Sequence, residues 1–247
     1  MLILLPPSEG KAGRGRGRPL DLDRLSFPSL TEARERVVEG LVATSARPDA
    51  VSRLGVPAGV VEEVRRNIEL RDLPTVPAER LYTGVLYDAL DLASMSGPAL
   101  RRARRWVVIT SALMGAVRLT DPLPPYRLPI CGRLDGVEGL EAHWRGVLQP
   151  VLSEAAGRGV VVDGRSSSYQ PVWRPTGELA DRWVLVRVPG ASHHAKHTRG
   201  LVARHLCVTG STARDVPGVA EEIGAAFDVT LHEPARPGKP WVLDVRP

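Results

Sequence analysis

The chain is poor in sulfur, in rings and in long apolar runs. Two of its 247 residues are cysteine, Cys131 and Cys207, far apart and without CxxC or Cys/His ligand spacing, so neither a disulfide framework nor a zinc site is indicated. Aromatic residues make up 4% of the sequence, too few for a platform on which unpaired bases would stack. No apolar run reaches membrane-spanning length. Residues 1–5 are apolar but stop at Pro6 and Pro7, too short for a signal-peptide core, so a cytoplasmic protein with no membrane partner is expected. The chain has no G-x-S-x-G elbow, no H-E-x-x-H pair and no G-x-x-x-x-G-K-S/T loop, so an elbow hydrolase, a helical zinc site and a P-loop nucleotidase gain no support. His193 and His197 are four apart but lack a positioned carboxylate; no metal and no cofactor is expected.

What is present describes an ordinary globule. With 43% hydrophobic and 25% charged content, 247 residues suffice for one sizeable core, and a single compact domain over 1–247 is expected. Lys plus Arg less Asp plus Glu is 33 − 28 = +5, an excess that favours phosphate-bearing partners over cationic ones. Short β-branched runs at 2–5, 106–110, 160–163, 183–188 and 241–245 read as buried strands. Helical patterns lie between them at 31–42, 138–155, 194–206 and 216–227, the first with Thr31 as N-cap and Val37, Val38, Leu41 and Val42 on its apolar face. Strands separated by helices predict an α/β (mixed α+β) domain, a central mixed sheet with flanking helices. In the one biased stretch, 13–19, Arg14, Arg16 and Arg18 alternate with Gly13, Gly15 and Gly17; it is expected to be mobile until liganded.

Ligands of layered α/β domains sit beyond the carboxyl ends of the strands. After the first strand, Ser8 and Lys11 either hold an oxyanion or belong to a plain turn. The stretch 111–128 carries Arg118 and Arg127 as planar donors, Tyr126, and Asp121 as a base or an arginine partner; the alternative is a proline-stiffened connector. Asp163 closes a third strand, and Arg165, Ser166, Ser167, Ser168 and Tyr169 follow it as an anion cradle. His193, Lys196, His197 and Arg199 gather before an apolar helical face, where a helix N-terminus favours an anion. If these loops surround one basic cleft, an enzyme acting on a nucleotide, nucleobase or similar small anion is one reading. Lys11 or Lys196 would then stabilise developing charge, and Asp121 or Asp163 would serve as base. A further pattern at about 48–70 reads as helix-hairpin-helix-like: Gly55 and Gly59 flank a small-residue turn, and Arg53, Arg65 and Arg66 add charge for nucleic-acid phosphates. Gly55 and Pro57 are also ordinary helix punctuation.

Taken in order, MLILLPPSEGK at the start, LYTGVLYDAL at 81–90, SALMGAVRLTDPLPPYRL at 111–128, DGRSSSY at 163–169 and HHAKHTRG at 193–200 resemble the YaaA family of peroxide stress proteins, also called UPF0246. The resemblance spans most of the chain. It implies a mixed α/β domain with a positively charged cleft, a helix-hairpin-helix-like element, DNA binding, and a role in limiting oxidative damage to DNA by iron and peroxide. The chain departs from the family pattern at His194-Ala-Lys196-His197, where relatives carry an aromatic residue followed by Ala-Lys-Lys or Asn-Lys, and at its Pro-Pro-Ser-Glu-Gly-Lys start, which elsewhere reads Ser-Pro-Ala-Lys. The expected partner is double-stranded or structured DNA gripped by its phosphates, or a small phosphate-bearing ligand.

Overall fold

The computed structural model describes residues 1–12, 15–190 and 192–246, with Ser192 described by its backbone alone; Gly13 and Arg14 of the Arg/Gly stretch lie outside the described residues. The strands are β1 (Leu2–Leu5), β2 (Val76–Pro77), β3 (Val107–Ser111), β4 (Gly115–Arg118), β5 (Pro122–Leu123), β6 (Val161–Asp163), β7 (Trp183–Arg187), β8 (Asp228–His232) and β9 (Trp241–Arg246). The α-helices are α1 (Thr31–Ser45), α2 (Ala50–Leu54), α3 (Val61–Arg66), α4 (Ala78–Leu81), α5 (Val85–Leu90), α6 (Gly97–Trp106), α7 (Leu140–Ala156), α8 (Ser192–Thr209) and α9 (Val216–Gly224). Seven strands form one sheet in the order β4-β3-β1-β6-β7-β9-β8. The five inner strands are parallel, and the edge strands β4 and β8 run antiparallel to their neighbours. The result is a compact single α/β domain.

Sequence and layering agree in the interior. The residues of β1 and β3 are buried throughout, as expected of parallel strands covered by helices on both faces, and their side chains form continuous apolar runs. Edge strand β8 instead alternates exposed and half-buried residues. Helix α7 turns Leu140, Trp144, Leu148, Val151 and Leu152 inward, a spacing of three and four that keeps one stripe on the core. No described helix is long and apolar enough to cross a membrane.

Two local expectations are corrected. Thr31 does not cap α1: a 3-10 turn opened by Pro28 runs straight into the helix, so Thr31 is its first residue and its buried hydroxyl lacks a partner. The stretch after β3 is not a continuous loop, because β4 folds back antiparallel with Arg118 opposite Val108. The reversal needs a glycine. Gly115 has φ +71, and a Cβ there would stand 2.6 Å from Cε3 of Trp144. Gly115→Ala should therefore cost about 2–4 kcal/mol of stability, combining left-handed strain with overpacking against the indole. A urea-unfolding midpoint equal to that of the unmodified protein would contradict this assignment.

Candidate functional site

Strand β1 lies between β3 and β6, and the chain goes first to one side of it and later to the other, so the order of the sheet reverses there. In parallel sheets this opens a crevice at the carboxyl ends. Cross-links close around it. Thr110 Oγ1 donates to Leu5 O at 3.1 Å, Gly164 N donates to Leu4 O at 2.8 Å, and Tyr87 Oη donates to Pro6 O at 2.7 Å.

Lys11 stands at this crevice. Its Nζ donates to Ser8 O at 2.8 Å and lies 4.2 Å from the ring centroid of Tyr126 and 5.7 Å from that of Tyr82. Burial, reinforced by the Arg127 charge, lowers its pKa to about 7. Glu9, Gly10, Glu63, Arg66, Pro125, Tyr126 and Arg127 share with Lys11 a cleft of about 300 Å³. Arg127 reaches Glu9 at 3.1 Å and Glu63 at 3.5 Å. Behind the amine runs a chain of hydroxyls: Tyr82 Oη to Tyr126 Oη at 3.0 Å, and Tyr126 Oη to Ser111 Oγ at 2.8 Å. Ser111 Oγ also accepts the amides of Leu113 and Met114. All four tyrosines of the chain, Tyr82, Tyr87, Tyr126 and Tyr169, are buried, and burial is the main cause raising the pKa of each above the ordinary tyrosine value. Tyr82 stacks on Tyr87 with centroids 5.5 Å apart.

Lys11, Tyr126 and Arg127 thus meet, as expected, and Ser8 contributes its carbonyl; the half-buried Ser8 hydroxyl turns back to Gly10 O. Arg165 does not join them as an open donor. It is wholly buried: Nε and Nη2 bond Asp163 at 2.9 and 2.7 Å, Nη1 bonds Tyr169 O at 3.2 Å, and Nη2 also bonds Trp173 O at 2.9 Å. Asp163 is equally buried and also accepts Trp183 Nε1 at 3.1 Å, so the pair fastens the 164–173 loop to the sheet. With four of its five N–H groups bonded and no exposed surface, the guanidinium presents no face to an anion, and a carboxylate that already accepts four donors is not free to take a substrate proton. Ser166 and Ser168 pair with each other at 3.0 Å, and Ser167 is exposed.

The β4 turn carries Arg118 to the amino-terminal side of the parallel strands, where it donates to Arg105 O and lies 5.2 Å from the Phe27 ring. Asp121 is buried and spends its oxygens on Ser26 N and Oγ and on Arg118 N, a structural bracket in place of the expected base. On α8, His193, Lys196 and His197 are exposed, while Arg199 leans over the ends of β6 and β7, its Nε donating to Val186 O at 3.3 Å. Burial lowers the pKa of Arg199, opposed by the nearby charge of Asp163. Among the described residues no three His, Cys, Asp or Glu side chains group closely enough to hold a metal ion.

At 48–70 two short helices, α2 and α3, flank a turn in which Gly55 has φ +64 and Gly59 is exposed. Their arginines differ. Arg53 is shared between Asp49 and Asp135, both at 3.0 Å, and Arg65 pairs with Glu62 at 2.7 Å; Arg66 lines the Lys11 cleft.

A larger groove, about 820 Å³, was not anticipated. Its walls carry Arg16, Arg18, Arg24 and Arg80 against a single acidic residue, Asp21, and no described carboxylate forms an ion pair with any of the four. The Arg/Gly alternation builds one wall. Gly17 N donates to Thr75 O at 2.9 Å and Thr75 N donates to Arg18 O at 3.1 Å, so residues 15–19 of the stretch expected to be mobile until liganded pack around Thr75. Cβ atoms on Gly15 or Gly17 would collide with the Pro74 and Thr75 carbonyls, while Arg16 and Arg18 face the groove. The two clefts are neighbours, since segments 9–19, 76–82 and 122–127 supply walls or backing to both.

Residues 1–217 match the family described as peroxide stress protein YaaA. A UPF0246 protein of Streptomyces coelicolor is 46% identical over 254 residues, covering 99% of this chain and 98% of that protein. UPF0246 proteins of Corynebacterium efficiens and Corynebacterium glutamicum are each 38% identical, over 94% and 92% of this chain and 96% and 95% of theirs. With the family matched along most of its length and relatives aligned nearly end to end, the chain belongs to the YaaA (UPF0246) family of peroxide stress proteins.

Proposed function

We propose that the protein binds duplex or structured DNA through its phosphates, without reading bases, within the peroxide stress response for which its family is named. The observation that carries this reading is the 820 Å³ groove with four arginines that no described carboxylate pairs. Arginine forks suit phosphate oxygens, and each neutralised phosphate releases counterions. The helix-hairpin-helix-like turn supports it through Arg66, which faces the adjoining cleft, whereas Arg53 and Arg65 are already partnered and add less. The exposed large hydrophobic side chains among the described residues, Ile68 and Val208, are aliphatic and offer no stacking surface for unpaired bases.

Gel shifts of a duplex between about 50 and 300 mM salt are the test, because log affinity falls with log salt by about 0.9 per phosphate contact. The triple substitution Arg16→Ala, Arg18→Ala, Arg80→Ala should weaken binding and flatten that slope by about 2–3. Folded protein that leaves DNA unshifted at the lowest salt would sink the reading, and an unaltered slope in the triple variant would remove the groove from it. A second reading, an enzyme acting on a small anionic substrate, is favoured by one observation: the buried amine of Lys11 in its own cleft.

A further inference from the structure

We propose that Lys11 is an imine-forming amine for an aldehyde carried on a sugar phosphate, with the Tyr82–Tyr126–Ser111 hydroxyls supplying a proton to the carbonyl oxygen. The chemistry stands independently of DNA binding; only its polymer form, an abasic deoxyribose in a duplex, rests on that reading.

The amine comes first. Lys11 is held against two phenol rings, and its two acceptors, Ser8 O at 2.8 Å and Glu9 O at 3.5 Å, each take an N–H and leave the lone pair unengaged once the group is neutral. A pKa of about 7 makes the neutral form abundant at physiological pH. The chain holds three lysines, Lys11, Lys196 and Lys239, and Lys11 alone of these lines the cleft.

A proton count supplies the second observation. Ser111 Oγ accepts two backbone amides, so its own hydrogen must go to Tyr126 Oη. One further hydrogen links Tyr126 and Tyr82. Three hydroxyls thus have three hydrogens and two links, which leaves one phenol O–H without an acceptor among the described residues. An unspent donor beside a neutral amine is the pair that carbonyl addition requires.

The third observation is the phosphate end. Arg66 and Arg127 line the same 300 Å³. Glu9 reaches Arg127 with one oxygen and its side chain is 86% exposed, a weak surface pair that a phosphate with several oxygens replaces.

The step balances without an oxidant. Nζ forms a bond to the carbonyl carbon, the C=O π pair moves to oxygen, and that oxygen takes the phenol proton. The resulting carbinolamine expels its hydroxyl as water. The two hydrogens of the amine leave in that water, directly and through the returned phenol, and a C=N bond remains.

The test is reductive trapping with cyanoborohydride, followed by intact-mass measurement and peptide mapping. The arms are ribose 5-phosphate, a duplex with an abasic site, an intact duplex, and glycolaldehyde as an aldehyde without phosphate. A single adduct mapping to Lys11 is expected with a phosphate-bearing aldehyde, at least tenfold more than with glycolaldehyde. It should be lost in both Lys11→Met and Lys11→Arg, and should form several-fold more slowly in Tyr126→Phe. Trapping of ribose 5-phosphate alone identifies the free sugar phosphate as the source; trapping of the abasic duplex identifies the polymer. No adduct in either arm, or one mapping to the Met1 amine, Lys196 or Lys239, overturns the proposal. If that protein still shifts duplex DNA, the DNA reading survives the loss. Equal trapping of glycolaldehyde overturns the phosphate requirement.

Discussion

Asp163→Ala should remove a large share of the protein's stability. Both members of the Asp163–Arg165 pair are 0% exposed, and Asp163 accepts both donors of the guanidinium's Nε/Nη2 edge along with the Trp183 indole. Removing the carboxylate leaves a positive charge in the interior with carbonyls as its remaining partners, a loss of about 3–5 kcal/mol. A domain of this size has about 5–15 kcal/mol in all. The double variant Asp163→Leu, Arg165→Met removes the stranded charge and should recover part of the deficit. It cannot recover all of it, because the carbonyls of Tyr169 and Trp173 lose their donors. Urea unfolding of the two variants separates the contributions. A single variant within about 1 kcal/mol of the unmodified protein would mean that the pair does not fasten the loop.

Stability should also rise, then fall, as the medium becomes alkaline. Lys11 titrates near 7 when folded and near 10.5 when unfolded. Between those values the unfolded chain binds a proton that the folded chain does not, so unfolding free energy increases with pH across the window. Below about pH 7 the amine is charged in both states and the cost of its burial is felt in full. The tyrosines act in the opposite direction. Their folded pKa values lie above the ordinary 10, so past pH 10 the unfolded chain sheds phenol protons that the fold retains, and stability declines. Lys11→Met should remove most of the rise, leaving the share of the Met1 amine, whose burial also lowers its pKa. It should keep the decline, to which the buried Cys207 thiol, pushed up to about 12, adds above about pH 9. Parallel pH profiles for the two proteins between pH 7 and 10 would refute the buried-amine assignment.

How far the fold can be read from residues depends on how local the cause is. Each parallel strand announced itself as a β-branched run and lies within a residue of its expected start, because burial on both faces writes an uninterrupted apolar word. Strand β4 escaped notice: four residues beginning with glycine look like a turn, and what makes them a strand is the partner edge of β3 together with the Trp144 ring. Strand β8 alternates as an edge strand should, but it starts directly after residue 227, and the apolar helical pattern of 216–227 runs past the end of α9 at Gly224 and masks that start.

The site divides along the same line. Lys11, Tyr126 and Arg127 were expected together because strand-end loops converge on a switch point. Arg165 sits in a serine-rich loop and reads as a surface donor; its burial depends on Trp173 and Trp183, contacts that spacing does not reveal. Tyr82 and Tyr87 carried a signal that went unused, since half of the four tyrosines fall within one six-residue stretch of an aromatic-poor chain. The arginine groove was hidden by its own composition. Alternating Arg and Gly looks like a loose tether until Thr75, 57 residues from Arg18, supplies the backbone against which it lies.

That arrangement makes the groove's charge depend on residues that carry none. A Cβ on Gly17 would stand 2.6 Å from Thr75 O, and one on Gly15 would meet the Pro74 and Thr75 carbonyls. Alanine at either position would therefore lift the segment away from Thr75 and carry the Arg16 and Arg18 guanidinium groups with it.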